Sequence, residues 1–135
     1  MAIIHQRITI INIRRPGHQN INEKLLWLGH SLGLFSDRDK DKSCYRIFIE
    51  LLKSTKQKKP MSSDELAAHL HLTRGTVVHH LTRLMEAGLV VHTGNRYLLR
   101  VDNLKDLISE MEKDVRRMTD DLKEIASEID SLLGL

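Results

Sequence analysis

The hydrophobic period of the chain changes at Gly88. Before this glycine, Val77, Leu81 and Leu84 recur on one helix face, and their spacing predicts a helix over residues 73–87. After it, apolar residues alternate with a period of two, which is typical of strands. A helix that gives way at once to a strand leaves no room for a linker, so we expect both elements in one compact unit.

The alternating stretch predicts a β-hairpin over residues 89–101. Its two apolar runs, 89–93 and 96–101, flank Gly94-Asn95, a pair that accepts the positive φ of a tight turn.

A second short helix is predicted just upstream. Ser62 and Glu65 have the spacing of a capping box, and Leu66, Ala67 and Leu70 follow on one face. Two short helices joined by a tight turn predict a helix-turn-helix, and a hairpin directly after it predicts a winged helix. The expected fold class is therefore mainly α with a small β-hairpin.

Upstream of this unit, residues 1–15 are rich in isoleucine and partly alternating, which predicts a strand. Asn20 and Glu23 then predict a helix start, and the helix is expected to end near Gly33. Its broad apolar surface, which includes Trp27, belongs either to the core or to a contact with a second subunit.

The alternating charges of residues 36–42 predict a solvated loop. A further helix is predicted from residue 43 to 54, and Cys44 is expected to pack on it rather than to act as a nucleophile. One face of this helix is apolar: Tyr45, Phe48, Leu51 and Leu52.

The last 32 residues predict a long helix with a narrow apolar seam, and Asp102 is expected to cap its start. Spacings of four and three alternate through Leu104, Ile108, Met111, Val115, Met118, Leu122, Ile125, Ile129 and Leu132. A helix of roughly 30 residues is about 45 Å long and cannot bury so narrow a stripe on a small domain, so we expect a coiled coil with a second copy. The flanking charges do not distinguish parallel from antiparallel pairing. A lone helix folded back on its own domain is the alternative.

Charge is distributed unevenly along the 135 residues. Residues 1–103 carry 16 Lys and Arg against 9 Asp and Glu, whereas the remainder is net negative by 4. A basic body is where a polyanion binds. A single cysteine and a start unlike a leader peptide favour a reducing, cytoplasmic location, and no apolar run reaches the length of a membrane span.

Over roughly residues 43–101 the chain resembles the ArsR-type winged-helix transcription regulators, and small archaeal members in particular. The resemblance is carried by Asp64-Glu65-Leu66-Ala67, Leu72-Thr73, Thr76-Val77-Val78-His79-His80-Leu81, Leu84 and Glu86-Ala87-Gly88-Leu89-Val90. It implies a homodimer that places one recognition helix per subunit in successive major grooves of a palindromic operator.

The chain departs from that family at its known sensor sites. Metal-sensing members carry cysteines where Ala67 and His69 stand here, and the other familiar site needs histidine on the last helix, where residues 104–135 have none. We therefore expect no metal and no cofactor. Val78 stands where a serine is common, which exchanges a hydrogen bond for an apolar contact.

These patterns predict a sequence-specific, double-stranded DNA-binding transcription regulator that acts as a homodimer and is not an enzyme. Helix 73–87 is expected in the major groove and the wing, 89–101, on the backbone. Base edges are assigned to Arg74, Thr76, Val78, His79 and Thr82, and phosphates to Thr73, Arg83, Arg96, Arg100, Lys58 and Lys59. Dimerisation is assigned to Trp27 and to the nine seam residues of the last helix.

The chain is expected to divide into an N-terminal strand and helix with a possible dimer contact (1–36), the winged helix (37–102) and a dimerisation helix (103–135). His80, beside core positions, is expected to be structural and hydrogen-bonded at the helix interface. The alternative function is a winged-helix adaptor in a transcription assembly that binds no DNA. The sequence has no aromatic stacking platform of the kind that RNA binding needs. It also has no recognisable nucleophile arrangement or Gly-rich phosphate loop, so an enzyme is not expected.

Overall fold

A computed structural model describes residues 5–15, 17 and 20–135. The elements follow the order α1 (Ile21–Ser31), α2 (Ser43–Lys56), β1 (Met61–Ser62), α3 (Ser63–Leu70), α4 (Arg74–Glu86), β2 (Val90–Thr93), β3 (Arg96–Leu99) and α5 (Leu104–Leu133). The predicted fold class is confirmed, because α3 and α4 form a helix-turn-helix, β2 and β3 follow as a hairpin, and a long helix ends the chain.

The sheet has one strand more than the predicted hairpin. Its order is β1-β3-β2, all antiparallel, with Met61 opposite Tyr97 and Ser62 opposite Arg96. A strand of two residues is too short to show alternation, so the sequence pattern could not reveal it. In the β2–β3 turn Gly94 has a φ of +61°, which is the conformation predicted for that turn.

Side-chain caps lie at the predicted starts of α1 and α3. Asn20 Oδ1 accepts from Glu23 N–H at 2.8 Å at the start of α1, and Ser62 Oγ accepts from Glu65 N–H at 3.0 Å at the start of α3. For α5 the predicted cap is wrong, since Asn103 rather than Asp102 is the capping residue.

The core is formed by residues between Leu32 and Met111, with Ile8 and Leu28 among the partly buried residues packed against it. It is centred on α2 and α4, whose inner faces meet, and α3, the sheet and α5 close around them. The fully buried side chains include Ile47, Phe48, Leu51, Leu66, Val77, Leu81, Leu84, Leu89, Leu99 and Leu107.

Residues 5–15 have no regular secondary structure and do not form the predicted strand. Their backbone bonds go to helix carbonyls: Arg7 N–H donates to Glu86 O at 2.9 Å and Ile11 N–H to Ser31 O at 2.7 Å. A strand needs a ladder of bonds to a neighbouring strand, and helix ends supply only isolated acceptors. Residues 1–4 of the predicted strand lie outside the described residues.

The α1–α2 loop is solvated as predicted except at Asp39. Its carboxylate accepts from the backbone N–H of Ser43 at 2.9 Å and of Cys44 at 3.0 Å, and so satisfies two of the first amides of α2. The prediction of a wholly solvated loop is therefore wrong at this residue.

Helix α5 has two different halves. Leu107 and Met111 are buried in the chain's own core, and Leu104 also packs partly against that core. The dimerisation role expected for Met111 stays a prediction. From Thr119 to Leu135 every residue is exposed. The first turns therefore fold back on the domain, while the second half lies beyond it.

Among the described residues, no helix combines the length and the apolar character needed to cross a membrane.

Candidate nucleic-acid interface

Helix α4 has a buried face and an outward face. Val77, His80, Leu81 and Leu84 are buried against the core. The outward face carries most of the predicted base-reading and phosphate-contacting residues of this helix: Arg74, Val78, His79, Thr82 and Arg83. The apolar spacing that predicted the helix therefore also predicted which side chains remain accessible.

Two threonines at the start of α4 bind each other. Thr73 Oγ1 accepts from Thr76 N–H at 3.2 Å and donates to Thr76 Oγ1 at 2.9 Å. Thr76 is half-buried by this arrangement, whereas Thr82, whose hydroxyl donates to Val78 O at 2.9 Å, is exposed and keeps its acceptor lone pairs directed outward.

Arg74 is the outward arginine in the first turn of α4. Its Nε lies 3.4 Å from Asp64 Oδ1, and both side chains are largely exposed. A surface pair of this kind contributes about 0 to 1 kcal/mol. Arg74 can therefore exchange Asp64 for another acceptor at little cost.

A second basic group lies beside the sheet. Lys58, Lys59 and Arg96 line a shallow depression of about 760 Å³. Arg96 Nη1 donates to Pro60 O at 3.1 Å and to Glu65 Oε1 at 2.6 Å, which directs the guanidinium along this surface while about half of the side chain stays exposed. The structure thus brings together three of the predicted phosphate contacts.

Arg100 lies elsewhere, in a partly buried ion-pair cluster around Asp114. Its Nη1 donates to Asp114 Oδ2 at 2.5 Å, Gln6 Nε2 donates to the same oxygen at 2.8 Å, and Arg117 Nη2 donates to Oδ1 at 3.0 Å. The hydrogen bond from Arg100 is the main reason that the pKa of Asp114 is lowered to about 2. Because its guanidinium is engaged here, we do not propose Arg100 as a phosphate contact.

Gly88 lies against this cluster. It has a φ of +79°, and a Cβ at this position would lie 2.6 Å from Gln6 Nε2 and 3.2 Å from Asp114 Oδ2. The backbone conformation requires glycine, and a Cβ would in addition displace the end of the Gln6 side chain. The N-terminal segment, the end of α4, the hairpin and α5 meet at this point.

His80 packs in the helix interface, as predicted, but it is poorly hydrogen-bonded. Its Nε2 lies 3.7 Å from Asp39 Oδ2, and its buried Nδ1 has no hydrogen-bond partner among the described residues. Burial lowers the pKa of His80, and the opposing effect of the Asp39 carboxylate is smaller. The neutral imidazole is therefore favoured.

Cys44 is buried in the core. Burial raises the pKa of its thiol to about 11, so the thiolate is scarce near neutral pH. Within residues 5–15, 17 and 20–135, no three His, Cys, Asp or Glu side chains come together in a group that could hold a metal ion.

Three residues with structural roles at this surface were missed by the sequence analysis: Gln6, Asp39 and Asp114. Their partners lie on other elements, and Gln6 and Asp114 are 108 positions apart. Asp39 lies four residues before Ser43, and an aspartate just before a helix indicates a cap. The alternating charges around it predict a solvated loop instead, so its capping role was missed.

Residues 49–91 match the family model of the bacterial regulatory proteins of the arsR family. This span begins within α2, contains all of α3 and α4, and ends inside β2. The match confirms the resemblance for the helix-turn-helix and supports a DNA-binding transcription regulator. Searches among curated proteins and among solved structures found no match. The predicted archaeal origin stays a prediction.

Proposed function

We propose that this protein is a homodimeric regulator that reads a specific double-stranded DNA sequence through α4. The observation that carries the proposal is the outward face of α4 within the arsR-matched span, where Arg74, His79 and Thr82 are exposed and have no core role. A major groove is about 12 Å wide and accepts one α-helix, whose side chains then reach base edges.

The proposed contacts divide by chemistry. Arg74, His79 and Thr82 supply donors and acceptors for base edges, with Val78 against a thymine methyl and the half-buried Thr76 beside them. The contacts to phosphates, which position the protein on the duplex, are assigned to Thr73, Arg83, Arg96, Lys58 and Lys59.

The homodimer is supported by the second half of α5. Here Leu122 is 69% exposed, Ile125 54%, Ile129 47% and Leu132 87%, at the alternating spacing of a coiled-coil seam. With Ile108, Val115 and Met118 leading into it, this stripe has the chemistry to bury itself against a copy of α5. Such a pair would hold two copies of α4 in fixed relation, as a palindromic operator requires. Trp27, whose Nε1 donates to Ile13 O at 3.1 Å, is half-buried, and its exposed part is assigned to a further dimer contact.

The test compares two arginine variants on two kinds of DNA. An operator selected from random-sequence duplexes and a scrambled duplex are titrated with protein across a range of salt. Arg74→Ala is expected to weaken operator binding by about 1 to 3 kcal/mol and to relax base preference. Arg96→Ala is expected to weaken binding to both duplexes alike and to reduce the slope of log K against log salt concentration by about 1.

Arg116→Ala is the matched control, because it removes one exposed arginine that is not among the proposed DNA contacts. Equal losses on both duplexes for Arg74→Ala would remove this residue from base reading. Wild-type protein without salt-dependent binding to any duplex would refute the proposal and favour the adaptor function.

A further inference from the structure

A cleft of about 440 Å³ lies between the N-terminal segment, the turn after α1 and the outward face of α4. Its outer wall is fixed, because the bonds from Arg7 N–H to Glu86 and from Ile11 N–H to Ser31 attach the segment to two helices. Thr9 packs so closely on Gly33 that a Cβ there would lie 2.7 Å from the threonine methyl carbon. The cleft is therefore a product of packing between three parts of the chain.

The floor of the cleft is apolar. Leu32, Leu34, Cys44 and Leu84 line it, and each is more than nine-tenths buried. The raised pKa of Cys44 keeps its thiol uncharged, so this sulfur belongs to the apolar surface. A floor of this kind favours a ligand with an aliphatic or aromatic body.

The rim of the cleft is cationic. Arg7 comes from the N-terminal segment and Arg83 from α4, and the hydroxyls of Thr9 and Thr82 lie between the same walls. The acidic residue of the lining, Glu86, lies 3.9 Å from His5 outside the cleft. The Thr82 hydroxyl already donates to Val78 O, so the donors that remain are the two guanidiniums and the Thr9 hydroxyl, a set suited to a carboxylate.

We infer that this cleft binds a small organic anion, a carboxylate on an apolar body, and that its occupant regulates DNA binding. The carboxylate lies between Arg7 and Arg83, and the apolar body rests on the floor. His79, Thr82 and Arg83 line the cleft and are also proposed DNA contacts, so the ligand and the operator exclude each other. The regulatory step rests on the proposed function, whereas ligand binding itself does not.

The first experiment measures ligand binding to the full chain without DNA. Hexanoate and benzoate are titrated and the shift in thermal unfolding is recorded, with hexanamide, benzamide and acetate as matched probes that lack either the charge or the body. The two carboxylates are expected to bind about tenfold more tightly than their amides, since charge-assisted bonds are roughly twice as strong as neutral ones. Equal shifts with the amides, or no shift with either carboxylate, would overturn the inference.

Variants locate the site. Arg7→Gln and Arg83→Gln are each expected to remove most of the preference for carboxylate over amide, whereas Arg116→Gln on α5 leaves it unchanged. Both cleft arginines are exposed, so neither variant is expected to unfold the chain. A preference that survives both substitutions would place the ligand elsewhere and refute the cleft.

The second experiment adds the operator duplex. Hexanoate is expected to raise the protein concentration needed for half-saturation of the duplex, whereas acetate at the same ionic strength does not. Ligand binding without this competition would refute only the regulatory step. Failure of the proposed function has a different outcome, since wild-type protein would then bind no duplex while still binding hexanoate.

Discussion

Asp114 shows how much one side chain contributes to this fold. It is almost fully buried, yet charged, and receives hydrogen bonds from Arg100, Gln6 and Arg117. A buried carboxylate is tolerated only with such partners, because an unpaired one costs several kcal/mol. The bonds from Gln6 and Arg100 connect α5 to the N-terminal segment and to the residue that follows β3, whereas the bond from Arg117 lies within α5.

We predict that Asp114→Asn lowers the free energy of unfolding by about 3 kcal/mol at pH 7, because Arg100 loses its charged partner. In the wild-type protein, the contribution of the Asp114 carboxylate to the free energy of unfolding depends on pH. The folded pKa of about 2 lies below the unfolded value of about 3.9, so the contribution is complete above about pH 4 and is lost as pH falls towards 2. Urea unfolding at several pH values measures both effects.

Asp121→Asn is the control for this prediction, since it changes an exposed aspartate of the same helix. It should leave stability within about 0.5 kcal/mol of wild type. If both variants have the same pH dependence between 4 and 2, Asp114 does not carry the acid sensitivity.

Sequence patterns could not predict this role. In the heptad register Asp114 flanks the seam, and the helix pattern places it among the acids that repel one another in a dimer. Its partners include Gln6, 108 positions away. Local periodicity reports which face of a helix is apolar, but it contains no information about the long-range partner of a polar residue.

At the level of elements, the helices and the hairpin were predictable because their caps and periods are local. The caps Asn20, Ser62 and Thr73 each bind an amide three residues later. Strand β1 and the N-terminal segment depend on partners elsewhere, namely β3 for the strand and the carbonyls of α1 and α4 for the segment. Tertiary context decides such segments.

The cap of α2 provides a prediction at this scale. Partial burial raises the pKa of Asp39, but the bonds from Cys44 and Ser43 N–H outweigh it and the pKa lies below its ordinary value. Asp39→Ala is expected to cost about 1 to 2 kcal/mol of stability. The difference from wild type should shrink as pH falls below about 4, the ordinary aspartate value, because the cap is strongest as a carboxylate.

Asp37→Ala tests whether this loss is specific. Asp37 lies in the same loop but is exposed, so its replacement should change stability by less than about 0.5 kcal/mol. Chemical denaturation of the three proteins distinguishes the two aspartates, and equal losses for both would show that Asp39 does not act as a cap.

At the scale of the whole molecule, the two halves of α5 differ in burial, and we propose that only the second half serves dimerisation. The first half is part of the core, and the second half exposes its apolar stripe. We predict that Leu122→Glu with Ile129→Glu converts a dimer into a monomer, since two buried charges at a coiled-coil seam are unfavourable. Sedimentation velocity measures the change in mass.

Ser127→Glu with Ser131→Glu is the matched control, because it adds the same two charges to the same helix outside the seam. This variant should stay dimeric. The seam prediction is wrong if both variants have the same mass, or if the wild-type chain sediments as a monomer at all concentrations.

The exposed half of α5 also gives the molecule a permanent electric dipole. Residues 119–135 are net negative by 4, and the rest of the chain is net positive by 7. Within a Debye length of DNA, about 10 Å at 0.1 M salt, the field of the phosphates would attract the basic body and repel the acidic helix. This field would orient the molecule before contact, with its basic body towards the duplex and its acidic helix away from it. A larger fraction of encounters would then begin in the orientation that the proposed DNA contacts require.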